Sequence, residues 1–269
     1  MAKISIIMGA FNPDRDRLLA SVQSIVRQSF GDWELLLYDD GSSPAGNAHI
    51  RTAAKEDGRI RYYRGERNRG LAFALNECIR RSTGKYIARM DDDDRCVPSR
   101  LQKQFRFLES HREYQWVGSL ALLCDEQGVW GKLRVPERPQ IRDFLPHSPF
   151  IHPTVLFRRE ALMGCGGYDA SPEARLCEDY ELFLRLYAGG LRGYNLQEPL
   201  LLYWENAASY QKRNFARRVR EMRVRYRGFR ALGIPGPTAL PYVCKPLLAG
   251  AMPAPVYRAL RRRMQQRVK

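Results

Sequence analysis

The run Asp91-Asp92-Asp93-Asp94 is the strongest chemical signal in the chain. Adjacent carboxylates repel one another, and desolvation raises their pKa values unless a cation neutralises them. Oxygen donors with little His or Cys nearby favour Mg²⁺ or Mn²⁺, hard ions that keep waters and bridge to phosphates. An acidic surface turn is the plain alternative. The run directly follows the apolar stretch 86–90, and that position favours the metal. A second acidic pair, Asp39-Asp40 before Gly41-Ser42, follows the apolar stretch 33–38. Asp-Gly is a common turn pair, and a carboxylate there can also accept from a nucleobase or ribose. Asn68-Arg69-Gly70 leads into a helical pattern, where Asn68 can cap the helix or Gly70 can let backbone approach a charged ligand. Glu178-Asp179 opens a further helical segment. At helical spacing Glu178, Glu181 and Arg185 share a polar stripe, whereas Asp179 aligns with Phe183 and Leu186 and faces inward. The helix dipole alone favours acids at that end but does not explain an inward one. His152, before Pro153, reads as structural. No Ser/His/Asp ordering and no Walker-type phosphate loop is present.

These residues need elements to position them. Strand-like runs at 4–8, 33–38, 60–63 and 86–90 alternate with helix-like segments at 18–26, 71–79 and 101–108. Continuous apolar strands between amphipathic helices imply a parallel sheet covered on both faces. In such sheets ligands bind beyond the carboxyl ends of the strands, which is where loops 9–14, 39–43, 65–70 and 91–95 fall. Further strands at 116–123, 128–133 and 153–157 suggest a mixed extension, followed by a Gly-rich loop at 164–169 and a helix over 180–187.

Forty-four per cent hydrophobic residues in 269 suffice for a full core, and the charged fraction excludes both a multispan membrane protein and a disordered chain. The six cysteines form no CxxC pair, so they read as reduced thiols of a cytosolic protein. The apolar run at 4–8 is too short for a signal peptide or a span. Residues 211–269 carry 16 Lys or Arg against the single acid Glu221, so +15 of the net charge of +16 lies there. Six prolines from Pro235 to Pro255, with Lys245 among the apolar residues, argue against a span. Two flanking segments are amphipathic. One carries Phe215, Val219, Met222, Tyr226 and Phe229; the other carries Val256, Leu260, Met264 and Val268. Basic amphipathic helices can lie on an anionic membrane surface. The first can equally pack on the body or pair with a second chain as a homodimer.

Taken together, the motifs resemble those of family 2 glycosyltransferases of the GT-A fold, over about the first 210 residues. Residues 4–12 are similar to the opening strand and nucleotide loop, Asp39-Asp40-Gly41-Ser42 to the second nucleotide motif, and Asn68-Arg69-Gly70 to the Asn-x-Gly motif. Asp91-Asp92-Asp93 matches Asp-x-Asp, and Gly166-Gly167-Tyr168-Asp169 with Glu178-Asp179 resembles the acceptor loop and Glu-Asp motif. The sequence departs where the family often has Arg and His, since Trp204, Glu205 and Asn206 follow residues 200–203.

The resemblance implies an α/β fold: a GT-A-type, Rossmann-like, mostly parallel sheet with helices on both faces, a mixed extension and a basic helical tail. Residues 1–110 would bind the nucleotide sugar, 111–210 the acceptor, and 211–269 would form the tail. The donor would be a nucleoside-diphosphate sugar, most often UDP-linked, with Ala10, Asp40, Asn68 and Asp91 near it. Asp91 and Asp93 would hold Mg²⁺ or Mn²⁺, and Asp179 would deprotonate a glycan or lipid-linked acceptor for inverting attack. This places the enzyme in the cytoplasm, on the inner face of the cell membrane. A nucleotidyltransferase is the rival enzyme, but loop 9–14 has one Gly and no Lys for a triphosphate. A nucleic-acid binder is disfavoured because the tail matches no recognised motif.

Overall fold

The computed structural model describes residues 2–205 and 215–251. Nine strands form one mixed sheet: β1 (Ile4–Ala10), β2 (Trp33–Asp39), β3 (Ile60–Arg64), β4 (Tyr86–Arg89), β5 (Arg95–Cys96), β6 (Trp116–Asp125), β7 (Gly128–Leu133), β8 (Leu156–Arg158) and β9 (Gly193–Trp204). The order is β3-β2-β1-β4-β8-β6-β9-β5, with β7 pairing β6 at one side. β3, β2, β1 and β4 run parallel, and antiparallel β8 joins them to the extension.

Alternation along the strands divides the apolar residues between two cores. Ile4, Ile6 and Met8 of β1 face α1 (Arg15–Val26), α2 (Pro44–Ala53) and α4 (Arg100–Ser110). Ile7 and Leu36 face α3 (Leu71–Arg81), α5 (Arg159–Gly164), α6 (Glu178–Ala188) and α7 (Phe215–Ala231). Burial on both faces explains why these strands read as unbroken apolar runs.

α7 packs on α6 and on α8 (Gly236–Ala251). Val224 and Phe229 are buried there, while Phe215 and Tyr226 of the expected apolar stripe are exposed. Arg218 and Arg225 are buried instead. The reason is chemical: Arg225 donates to the carbonyls of Leu145 (2.8 Å) and Pro146 (3.3 Å) and pairs with Glu221 (3.0 Å), so its burial is satisfied. α8 runs on through Pro241 and Pro246. Among the described residues no helix is long and apolar enough to cross a membrane. The second amphipathic segment, with Val256, Leu260, Met264 and Val268, lies outside the described residues, as does Asn206.

Candidate active site

The four loops beyond the parallel strands are tied into one rim. Ala10 ends β1 beside Asp39, and its carbonyl accepts from the Asp40 N–H at 2.9 Å. Asp39 is fully buried and structural, accepting from the Ser42 N–H (2.7 Å) and the Asn47 side chain (2.8 Å). Gly41 adopts φ 75°, and a Cβ there would lie 2.5 Å from the Arg67 backbone. Only glycine lets the β2 and β3 loops approach so closely.

Asp40 accepts from the N–H groups of Arg69 (3.0 Å) and Gly70 (2.7 Å), so this carboxylate serves the start of α3. Gly70 is the N-cap and receives no side-chain cap, so Asn68 does not cap that helix. Burial raises the Asp40 pKa, against the lowering effect of those amides. A carboxylate offers about four lone-pair sites, so Asp40 keeps capacity to accept from a further donor. Asn68 is exposed, and its Oδ1 lies 3.5 Å from Arg175 of the loop before α6.

Behind β4, ligand oxygens of Asp91, Asp93 and Asp94 lie within 4.8 Å of one another. Asp94 belongs to the acidic run read as a metal site, while the Asp-x-Asp resemblance names only Asp91 and Asp93 as ligands. It is buried, its Oδ1 accepts from the Trp204 N–H at 2.7 Å, and its Oδ2 has no hydrogen-bond partner. Burial, then the neighbouring carboxylates, raise Asp94 well above its ordinary range, push Asp93 up to about 6, and push Asp92 up to about 8. Buried Arg89 pairs with Asp91 at 2.5 Å. Arg89 and Arg17 both act on this run of four acids, and the partnerless buried oxygen of Asp94 faces the same cluster, which suits a cation. The donor set fits Mg²⁺ or Mn²⁺.

Arg89 also joins the two halves of the site, because its charge acts on Glu178 and Asp179 as well as on the acidic run. An arginine at the end of an otherwise apolar strand, two residues before four acids, is a signal that marks it in the sequence. Asp179 keeps partial access to solvent and lines a cleft with α7. Burial raises its pKa, opposed by the Tyr180 N–H bond and by the charges of Arg217 and Arg89. Glu178, expected on a solvated stripe, is buried, and burial with the Asp179 charge raises its pKa. Side chains of a first helical turn point back past the helix end, and the charge of Arg89 at the end of β4 reaches both acids. His152 is buried with Nε2 2.7 Å from the Tyr168 hydroxyl, a structural role. Gly167, at φ 73°, lets the Asn76 side chain exchange two 2.8 Å bonds with the Tyr168 backbone, which fixes this loop.

Comparison with known proteins agrees with this architecture. The model of "Glycosyl transferase family 2" matches residues 5–166. EpsE of Bacillus subtilis (strain 168), a protein classed with the glycosyltransferases, is 40% identical over 256 residues, 94% of this chain and 91% of that one. The O-antigen biosynthesis glycosyltransferase WbnJ of Escherichia coli is 32% identical over 218 residues, 78% of this chain and 82% of that one. Among solved structures, the mannosyltransferase PcManGT of Pyrobaculum calidifontis, in complex with GDP-Man and Mn²⁺, gives a TM-score of 0.64 at 18% identity. That likeness covers 97% of this chain and 80% of the other, and it speaks for the fold. A match over more than half of the chain, and relatives above 30% identity along most of it, leave one conclusion: the chain belongs to glycosyl transferase family 2, enzymes of GT-A fold that move a sugar from a nucleotide-sugar donor to an acceptor.

Proposed function

We propose that the enzyme transfers a sugar from a UDP-linked donor to a hydroxyl of a glycan or lipid-linked acceptor in the synthesis of cell-surface polysaccharide. The observation that supports this reading is the clustering of the Asp91, Asp93 and Asp94 oxygens beyond β4, with the charge of Arg89 acting both on that run and on Asp179. Residues 1–110 hold the donor, with Ala10, Asp40 and Asn68 at the nucleoside. Residues 111–210 hold the acceptor.

The Asp179 carboxylate takes the proton of the acceptor hydroxyl, and that oxygen attacks the anomeric carbon from the face opposite the diphosphate. The bond from the anomeric carbon to the diphosphate oxygen breaks, its electron pair leaves with the nucleoside diphosphate, and the configuration inverts. A carboxyl raised by burial is closer to the operating pH and a better base than a solvated one. Arg89 pairs with Asp91 and holds its carboxylate in place. Asp91, Asp93 and Asp94 would hold Mg²⁺ or Mn²⁺, which when bound offsets the charge growing on the leaving diphosphate.

The reading includes peripheral attachment to the cytoplasmic face of an anionic membrane. Arg223, Arg227 and Arg230 are exposed along one flank of α7, with Tyr226 beside them. It includes no pairing of two chains, because Val224 and Phe229 are already buried against the body. UDP-, GDP- and dTDP-sugars should be screened for hydrolysis with and without Mn²⁺. Preferential, metal-dependent turnover of a UDP-sugar is expected; turnover without metal, or none with any donor, refutes the reading.

A further inference from the structure

The two cations that act on the acidic run are placed differently. Arg89 is buried and paired with Asp91. Arg17, in the first turn of α1, keeps 33% of its side chain exposed. Its guanidinium lies over the Trp204 ring, 4.1 Å from the centroid. The N–H of that same Trp204 donates to Asp94 at 2.7 Å, so a single residue joins Arg17 to the acidic cluster. The Arg17 charge reaches Asp93 as well. Its other partner is Glu126, in the turn between β6 and β7, at 3.4 Å and with a side chain 61% exposed. An exposed ion pair of this kind contributes little and yields to a stronger anion.

A guanidinium carries five N–H donors, and the pair with Glu126 occupies one edge of the fork. Stacking on Trp204 occupies a face and fixes the plane, while the donors lie along the rim. A flat, oriented fork beside a cluster that suits a divalent ion matches the two oxygens of a phosphate. We propose that Arg17 is a donor-binding residue, which releases Glu126 and grips the diphosphate of the nucleotide sugar while Trp204 holds its plane. When the bond from the anomeric carbon to the diphosphate oxygen breaks, the electron pair stays on the diphosphate, and Arg17 stabilises that added charge. The inference rests on the reading that the acidic run faces the diphosphate of the donor. It gives α1 a part in donor binding that none of the motifs assigns to it.

The test is binding to the full chain of UDP by calorimetry, of uridine by ligand-observed NMR, and of Mn²⁺ alone by electron paramagnetic resonance. UDP is titrated both in Mn²⁺ and in EDTA. The proteins are wild type, Arg17→Gln and Arg17→Lys, each checked for folding by its melting curve. Arg17→Gln should bind UDP about tenfold or more weakly in either condition, the loss of a charge-assisted contact. Uridine should not distinguish it from wild type. Mn²⁺ alone should bind it at least as tightly, because a cation has left the neighbourhood of the acids. Arg17→Lys should recover part of the UDP affinity, keeping the charge without the fork. A residue that only held Trp204, and through it Asp94, would on removal weaken Mn²⁺ and uridine together with UDP. That parallel loss, unchanged UDP binding by Arg17→Gln, or no UDP binding by wild type overturns the proposal. Should Arg17→Gln fail to fold, Arg17→Lys decides: weaker UDP at unchanged uridine supports the fork, and unchanged UDP overturns it. Should UDP bind equally in Mn²⁺ and EDTA while Arg17→Gln still weakens it, the metal reading falls and the assignment of Arg17 stands.

Discussion

Replacing Asp94 by Asn tests the acidic cluster through two opposed effects. The amide can still accept from the Trp204 N–H, so the 2.7 Å link to β9 survives. What it removes is a carboxylate whose oxygen lies within 4.8 Å of those of Asp91 and Asp93. Two full charges at that separation repel by about 3.5 kcal/mol at an effective dielectric of ~20. Burial and its neighbours raise the Asp94 pKa well above its ordinary range, so the relief is a fraction of that, about 1 kcal/mol. In a chain of this size such a gain raises the melting temperature by about 2–4 °C. With EDTA present, Asp94→Asn should therefore melt above wild type. Excess Mn²⁺ should reverse the order. Loss of a ligand that weakens binding about 10–100-fold removes about 1.4–2.7 kcal/mol of metal-linked stability. Scanning calorimetry in EDTA and in Mn²⁺ reads both effects. A variant that melts at or below wild type in EDTA, or that gains as much from Mn²⁺, refutes the reasoning.

Asp179→Asn should lower kcat by about 10²–10⁴ while calorimetry shows UDP·Mn²⁺ binding unchanged; near-normal turnover removes Asp179 from the mechanism. The Asp92 carboxyl, pushed up to about 8 by burial and then by Asp93 and Asp91, holds more protons folded than unfolded. Its contribution to stability therefore falls as pH rises from about 4 towards 8. The melting advantage of Asp92→Asn in EDTA should widen over that window, and a constant difference counts against the assignment. Gly41→Ala places a methyl 2.5 Å from the Arg67 backbone at φ 75°, so it should cost about 1–3 kcal/mol in urea titrations and weaken nucleotide binding. Changing Arg223, Arg227 and Arg230 together to Gln should reduce co-sedimentation with phosphatidylglycerol vesicles, by about 1 kcal/mol per residue at low salt; unchanged sedimentation argues against attachment through α7.

The parallel half of the sheet was legible because its information is local. Each of β1, β2, β3 and β4 is an apolar run ending at a polar loop, and parallel pairing sends all four loops to one edge. Asp91 and Asp93 could be read from their neighbours in the chain. Other features lacked a local pattern: the small, polar residues of α2 have little periodicity, and β5 is two residues whose pairing comes from β9.

What only the tertiary structure decided depends on partners distant in sequence. Asp94 belongs to the acidic cluster because its other oxygen is held by Trp204, 110 residues away. Glu178 is buried where the charges of Asp179 and Arg89 reach it, a surrounding its helical stripe does not encode. α7 docks by its buried arginines as well as by Val224 and Phe229, since the receiving surface offers the Leu145 and Pro146 carbonyls. Hydrophobic periodicity registers the apolar face of a helix, whereas a buried cation is stable only where the rest of the fold supplies acceptors. That is why the sequence alone presented α7 as a tail, and the folded chain presents it as a wall of the cleft that Asp179 lines.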